Sequence, residues 1–121
     1  MINEREKSFT DLTKCQVEAL LECFDFLRNG YVQILDWSAF GTWIITFRHK
    51  ENRNRIWVEI RKNWYLIKKN GKIQKSVTYN ASSDRYRLFV NSDMSVGVVR
   101  LKHGVDETLI KGSLSTNNDA Q

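Results

Sequence analysis

The apolar positions of the chain change their spacing once. From Val17 to Leu27 they recur three and four residues apart, which is the spacing of one face of an amphipathic helix. Thr13 with Gln16 fits a capping box, and Asn29-Gly30 supplies the left-handed residue that commonly ends a helix. We predict a helix near residues 13 to 29, and a start as early as residue 8 or 10 stays open.

After Gly30 the apolar period becomes two, which indicates strands. Residues 42 to 48, 55 to 61, 85 to 90 and 95 to 102 follow this alternation, and residues 31 to 36 are a weaker candidate. Asn70-Gly71 is the strongest turn signal, because this dipeptide accepts the two positive φ angles of a type I′ hairpin. A two-residue turn there predicts three cross-strand pairs: Trp64 with Val77, Leu66 with Lys75, and Lys68 with Ile73.

These elements predict an α+β fold, in which an N-terminal amphipathic helix packs on a twisted antiparallel meander of about five to seven strands. With 121 residues, of which 41% are hydrophobic, the chain is long enough for one core. We expect a single domain over residues 1–110 and a polar, disordered tail over residues 111–121. The N-terminus does not have the pattern of a secretory signal and no long apolar run occurs, so cytoplasmic residence is expected.

Metal and cofactor chemistry have no sequence signature. Cys15 and Cys23 fall on the predicted helix, about 12 Å apart at the helical rise, which is beyond disulfide reach. They are expected to be buried free thiols. The two histidines do not match any zinc spacing, and a glycine-rich phosphate loop is absent. We therefore predict no cofactor and no metal.

Charge is unevenly distributed along the chain. Residues 1–30 contain four basic and six acidic side chains, whereas residues 48–75 contain ten basic and two acidic ones. The net charge of +8 in the middle segment exceeds the +5 of the whole chain. A segment of this kind predicts a surface that attracts an anionic partner.

Aromatic rings are interleaved with this charge. Trp57 alternates onto the same strand face as Arg55 and Arg61, and Phe89 onto the same face as Arg85 and Arg87. Cations that contact phosphates and rings that stack on bases are what proteins use to bind single-stranded nucleic acid. We predict a non-enzymatic nucleic-acid-binding domain, with candidate binding residues Arg48, Arg53, Arg55, Trp57, Arg61, Lys62, Lys68, Lys69, Lys72, Lys75, Arg85 and Arg87.

Three other interpretations stay open. Lysines on an outer sheet face also serve solubility and protect sheet edges, and Trp57 could be covered by the helix or a second layer. The same charge would suit an inhibitor or adaptor, of the immunity or phage anti-defence type, that binds an acidic protein surface. A small metal-independent ribonuclease would need residues such as Glu59, Arg61, Arg87 and either His49 or His103.

Overall fold

The computed structural model describes residues 8–93, 95–102 and 105–106. The predicted disordered tail and His103 lie outside the described residues. One helix and nine strands are described: β1 (Ser8–Leu12), α1 (Lys14–Arg28), β2 (Tyr31–Ala39), β3 (Thr42–His49), β4 (Arg55–Ile60), β5 (Trp64–Lys69), β6 (Lys72–Thr78), β7 (Arg85–Val90), β8 (Val96–Lys102) and β9 (Val105–Asp106).

The helix forms where the sequence predicts it. Gln16 N–H donates to Thr13 Oγ1, and Thr13 N–H donates to Gln16 Oε1, so both halves of the capping box are made. At the other end the Asn29 N–H donates to carbonyls of the last turn, and Gly30 takes a φ of +91°. The Thr13 hydroxyl also donates to the Lys62 carbonyl, which fixes the start of α1 against the loop before β5.

The strands form two antiparallel sheets, whereas the sequence predicted one. Strands β2 to β6 make a five-stranded meander in sequence order, and the second sheet has the order β1-β7-β8-β9. The helix-on-sheet α+β class is confirmed, but α1 is not the first element, because β1 precedes it. The alternation of apolar and polar residues over positions 8 to 12 is too short to predict a strand. Strand β1 forms by pairing with β7, which is distant in sequence.

A bulge in β6 makes two of the three predicted pairs between β5 and β6 wrong. Lys68 does lie opposite Ile73, but Ile67 lies opposite Lys75 and Tyr65 opposite Val77, so Gln74 is an extra residue in β6. A shift of one residue moves every later side chain to the other face of the sheet. The side chain of Lys75 therefore lies on the helix side of the sheet rather than on the opposite face.

One hydrophobic core joins all three layers. Helix α1 contacts strands of both sheets. Fully buried side chains come from the helix, from one face of the five-stranded sheet and from the second sheet, for example Leu20, Phe24, Phe47, Val58, Tyr65 and Leu88. The other face of the five-stranded sheet is turned away from this core, and it carries the candidate site.

Candidate binding surface on the five-stranded sheet

The outer face, as we call the side of the five-stranded sheet opposite α1, follows from strand alternation in β4. Ile56, Val58 and Ile60 are buried in the core, so Trp57 and Glu59 between them point outward. Cross-strand pairing extends each of these positions into a row of side chains. The two rows are Leu35, Thr46, Trp57, Lys68 and Ile73, and Trp37, Ile44, Glu59, Leu66 and Ser76.

Trp57 is the aromatic centre of the outer face. The described part of the chain leaves 37% of its surface exposed, so neither the helix nor the second sheet covers it. The Lys68 ammonium lies 5.7 Å from the centroid of the indole ring, within the range of a cation–π contact. The indole N–H lies 3.4 Å from a Glu59 carboxylate oxygen, which makes at most a weak hydrogen bond. The ring therefore keeps an accessible face.

A shallow groove opens beside Trp57. Its volume is about 370 Å³. The β2 strand slips register at Ile34, which lines the groove, and Ile34 and the neighbouring Leu35 are both about half exposed. The lining combines apolar side chains with two cations and consists of Ile34, Thr46, Phe47, Arg55, Ile56, Trp57, Lys68 and Gly71.

Arg48 and Arg55 lie directly opposite each other on β3 and β4, and both are exposed on the outer face. No carboxylate of the described residues lies within 4 Å of either guanidinium. Like charges directly opposite each other destabilise a sheet. Within the part of the chain that the structure describes, the pair is therefore a positive site without a neutralising carboxylate.

Four further cations lie at the same end of the sheet. Lys68 is the last residue but one of β5 and lies on the outer face, Arg53 is in the β3–β4 loop, and Lys69 and Lys72 flank the turn at Asn70-Gly71. None of the four has a carboxylate partner among the residues that the structure describes. We call this group the basic end, and it consists of Arg48, Arg53, Arg55, Lys68, Lys69 and Lys72.

Asn70 connects the two hairpins of the basic end. Its backbone N–H donates to the Arg55 carbonyl at 2.9 Å, and its side-chain oxygen accepts from the Arg55 N–H at 2.8 Å. Its amide nitrogen also donates to the Asn54 side chain. The Asn-Gly turn thus fixes the backbone of Arg55 as well as closing the β5–β6 hairpin.

The structure separates five other predicted site residues from the basic end. Arg61 and Lys62 lie at the opposite end of the sheet, where Arg61 approaches Glu59 at 3.5 Å and lies 5.4 Å from the Trp64 ring centroid. Lys75 pairs with Glu22 of α1 on the helix side. Arg85 and Arg87 belong to β7 of the second sheet, and Arg85 lies 3.9 Å from Asp11.

Sequence reasoning missed the exposed apolar side chains around Trp57. Leu35, Trp37 and Ile73 are between 48% and 61% exposed, and Phe40 is fully exposed at the tip of the β2–β3 hairpin. Two features of the sequence could have indicated them. Ile34 and Leu35 are consecutive apolar residues, which breaks the alternation of the strand. Phe40-Gly41 occupies a two-residue turn like that of Asn70-Gly71, with a large apolar residue at the first position.

Those residues considered for a ribonuclease that the structure describes do not all meet at one place. Glu59 and Arg61 belong to the outer face and its margin, whereas the His49 ring packs against Tyr31 at 4.7 Å and Arg87 is in the second sheet. The His49 Nδ1 accepts the Glu51 N–H. No described arrangement therefore combines the carboxylate, imidazole and arginine that this chemistry needs.

The thiols are buried free cysteines, as predicted. Burial raises the pKa of Cys15 to about 11, with Glu18 adding to the effect, and burial raises the pKa of Cys23 further. No group of three or more metal-ligating side chains occurs within the described ranges. The described helix does not have the length and apolar character needed to cross a membrane.

The chain matches no family model, no curated protein and no solved structure. Its function therefore has to be inferred from the chemistry of the outer face.

Proposed function

We propose that the basic end of the outer face, together with Trp57, binds single-stranded nucleic acid. The observation that carries this proposal is the Arg48–Arg55 pair, whose like charges have no described carboxylate partner and lie one row from a half-exposed indole. Such a pair destabilises the sheet by itself, but it provides two guanidinium groups for one phosphate.

Phosphate binding is supported by the number of cations that have no carboxylate partner among the described residues. Arg48, Arg55 and Lys68 are on the outer face, and Arg53, Lys69 and Lys72 add charge at the same end. Each cation that contacts a phosphate releases counterions, so binding weakens with salt in proportion to the number of contacts. Several contacts of this kind supply affinity without reading the sequence.

Base binding is supported by Trp57 and the groove beside it. An exposed indole can stack on any base, and each stacked base contributes about 1 to 3 kcal/mol. The half-exposed Ile34 side chain in the groove lining would contact the face of a base that has left its stack. Because the bases of a duplex are already stacked and paired, this arrangement favours a single strand.

A protein partner is the second candidate, and the exposed aliphatic side chains favour it. Ile34 lines the groove beside Trp57, and Leu35 and Ile73 lie at the two ends of the same cross-strand row. Exposed apolar side chains next to charged ones are typical of a protein interface. The cations of the basic end would then contact an acidic segment of that partner. An inhibitor or adaptor would use the surface in this way.

Fluorescence anisotropy with a labelled single-stranded oligonucleotide tests the proposal. We expect Trp57→Ala to weaken binding by about tenfold, which corresponds to one lost stacking contact. Phe40→Ala is the matched control, because it removes an exposed ring far from the basic end.

Equal affinities for the wild type and Trp57→Ala, or tighter binding to a duplex of the same sequence, would contradict a single-strand site. Affinity capture from nuclease-treated cell extract decides between the two candidates. A protein recovered in a one-to-one complex that Trp57→Ala abolishes would favour the protein partner.

A further inference from the structure

The two edge strands of the five-stranded sheet differ in how they are protected. Edge strands expose unpaired backbone groups, and proteins commonly protect them with lysines and bulges. Strand β6 has both, since it carries Lys72 and Lys75 and a bulge at Gln74. Strand β2 is nine residues long and contains no lysine, arginine or proline. No described strand pairs with its outer edge.

The outward side chains of β2 are also apolar. Leu35 and Trp37 are each 48% exposed on the outer face. The one charged residue of the strand, Asp36, is turned to the other face, where its carboxylate accepts the Trp43 indole N–H at 3.0 Å. The side chains that β2 presents on the outer face therefore carry no charge, unlike those of the basic end of the same sheet.

We propose that two copies of this chain pair antiparallel through β2, so that their five-stranded sheets join into one sheet of ten strands. The bulge at Ile34 interrupts the regular edge, so pairing would involve residues 35 to 39. A register centred on Trp37 places each Trp37 beside its symmetry mate and Leu35 opposite Ala39. It also places Asp36 opposite Ser38, which avoids two facing carboxylates.

A second copy fits this edge for two reasons. A two-fold axis lets the same residues supply both halves of the contact, so no separate complementary partner is needed. The chain has a net charge of +5, and a contact between copies is therefore tolerated best where cations are absent, as they are along β2. Pairing would bury Trp37, an aromatic side chain of the type enriched at interface centres.

This pairing has a consequence for the outer face. When two antiparallel neighbouring strands are related by a two-fold axis, that axis is perpendicular to the sheet that they share. The outer faces of both copies would therefore lie on the same side of the joined sheet. The two basic ends would then be at opposite ends of one continuous surface. The dimer itself does not depend on nucleic acid binding.

Sedimentation equilibrium of the nuclease-treated protein in about 0.15 M salt tests the proposal, because nucleic acid is absent and neighbouring charges still interact at a Debye length of about 8 Å. We expect a mass near twice the 14.3 kDa of one chain. Trp37→Lys should give the monomer, since it places two like charges beside each other. Ile73→Lys is the matched control on the other edge strand, and it should remain dimeric.

Charge complementation guards against a variant that merely fails to fold. An equimolar mixture of Trp37→Lys and Trp37→Glu should restore a dimer that neither variant forms alone. Hydrogen exchange of the wild type should slow at residues 35 to 39 as protein concentration rises, and not in β6. A wild type that stays monomeric at its highest soluble concentration, or a dimer that Trp37→Lys leaves intact, would overturn the proposal.

Discussion

Arg48 and Arg55 face each other across β3 and β4 on the outer face of the sheet. No described carboxylate neutralises them, although Glu59 of the same face approaches Arg61. The folded chain thus contains a repulsive cross-strand pair that a single substitution would remove. An anionic ligand between the two guanidinium groups would remove the same repulsion.

This relationship predicts opposite effects on stability and binding. Arg48→Glu replaces the repulsion with an ion pair and should raise the free energy of unfolding by about 0.5 kcal/mol. The same change should weaken oligonucleotide binding by about tenfold or more, because it removes one phosphate contact and adds a negative charge. Urea unfolding and fluorescence anisotropy measure the two effects.

Lys14→Glu is the control, since it makes the same change in net charge at an exposed position of α1. It should alter affinity much less than Arg48→Glu. A loss of stability in Arg48→Glu, or equal losses of affinity in the two variants, would contradict the account of the pair.

The β2–β3 turn predicts a stabilising substitution. Phe40 and Asn70 precede Gly41 and Gly71 in two-residue turns, and both have a φ of 52°. A left-handed backbone costs phenylalanine about 1 kcal/mol, whereas asparagine adopts it readily. Phe40→Asn should therefore raise the free energy of unfolding by about 1 kcal/mol in urea. An unchanged or lower value would show that the Phe40 side chain stabilises the fold in another way.

The contact between α1 and the five-stranded sheet predicts a loss of stability at high pH. The Tyr65 hydroxyl donates to Glu22 at 3.2 Å, and burial together with this carboxylate raises the pKa of Tyr65 to about 12. The unfolded chain releases the same proton near pH 10. Between about pH 10 and pH 12 the unfolded state therefore binds fewer protons, and the free energy of unfolding falls as pH rises.

Tyr65→Phe removes this titration. Its free energy of unfolding should be lower than that of the wild type at neutral pH, because the hydrogen bond to Glu22 is lost, but it should fall less steeply above pH 10. Urea titrations at several pH values measure both slopes. Parallel curves for the two proteins would contradict the role assigned to Tyr65.

Local signals in the sequence were sufficient for α1 and for the meander. The capping residues Thr13 and Gln16 and the turn at Asn70-Gly71 act within a few residues, so their structures follow from the chain itself. Strand β1 and the second sheet could not be predicted, because β1 forms by pairing with β7. The bulge at Gln74 also has no sequence signature, and it moved Lys75 to the helix side.

The candidate site was predicted in part. The alternation in β4 correctly placed Trp57 and Arg55 on the face opposite the helix. Charge counting along the chain could not separate Arg48 and Lys68, which have no described carboxylate partner, from Lys75, which Glu22 neutralises. That distinction depends on contacts between residues far apart in sequence.

The salt dependence of oligonucleotide binding tests the central claim most directly. A plot of log affinity against log salt concentration should be linear for the wild type, with a slope near −0.7 for each phosphate contacted. The Arg48→Ala, Arg55→Ala double variant should reduce the steepness of that slope by more than one unit, whereas Lys75→Ala should not. Affinity that does not depend on salt, or a slope that the double variant leaves unchanged, would contradict the claim that the basic end binds phosphates.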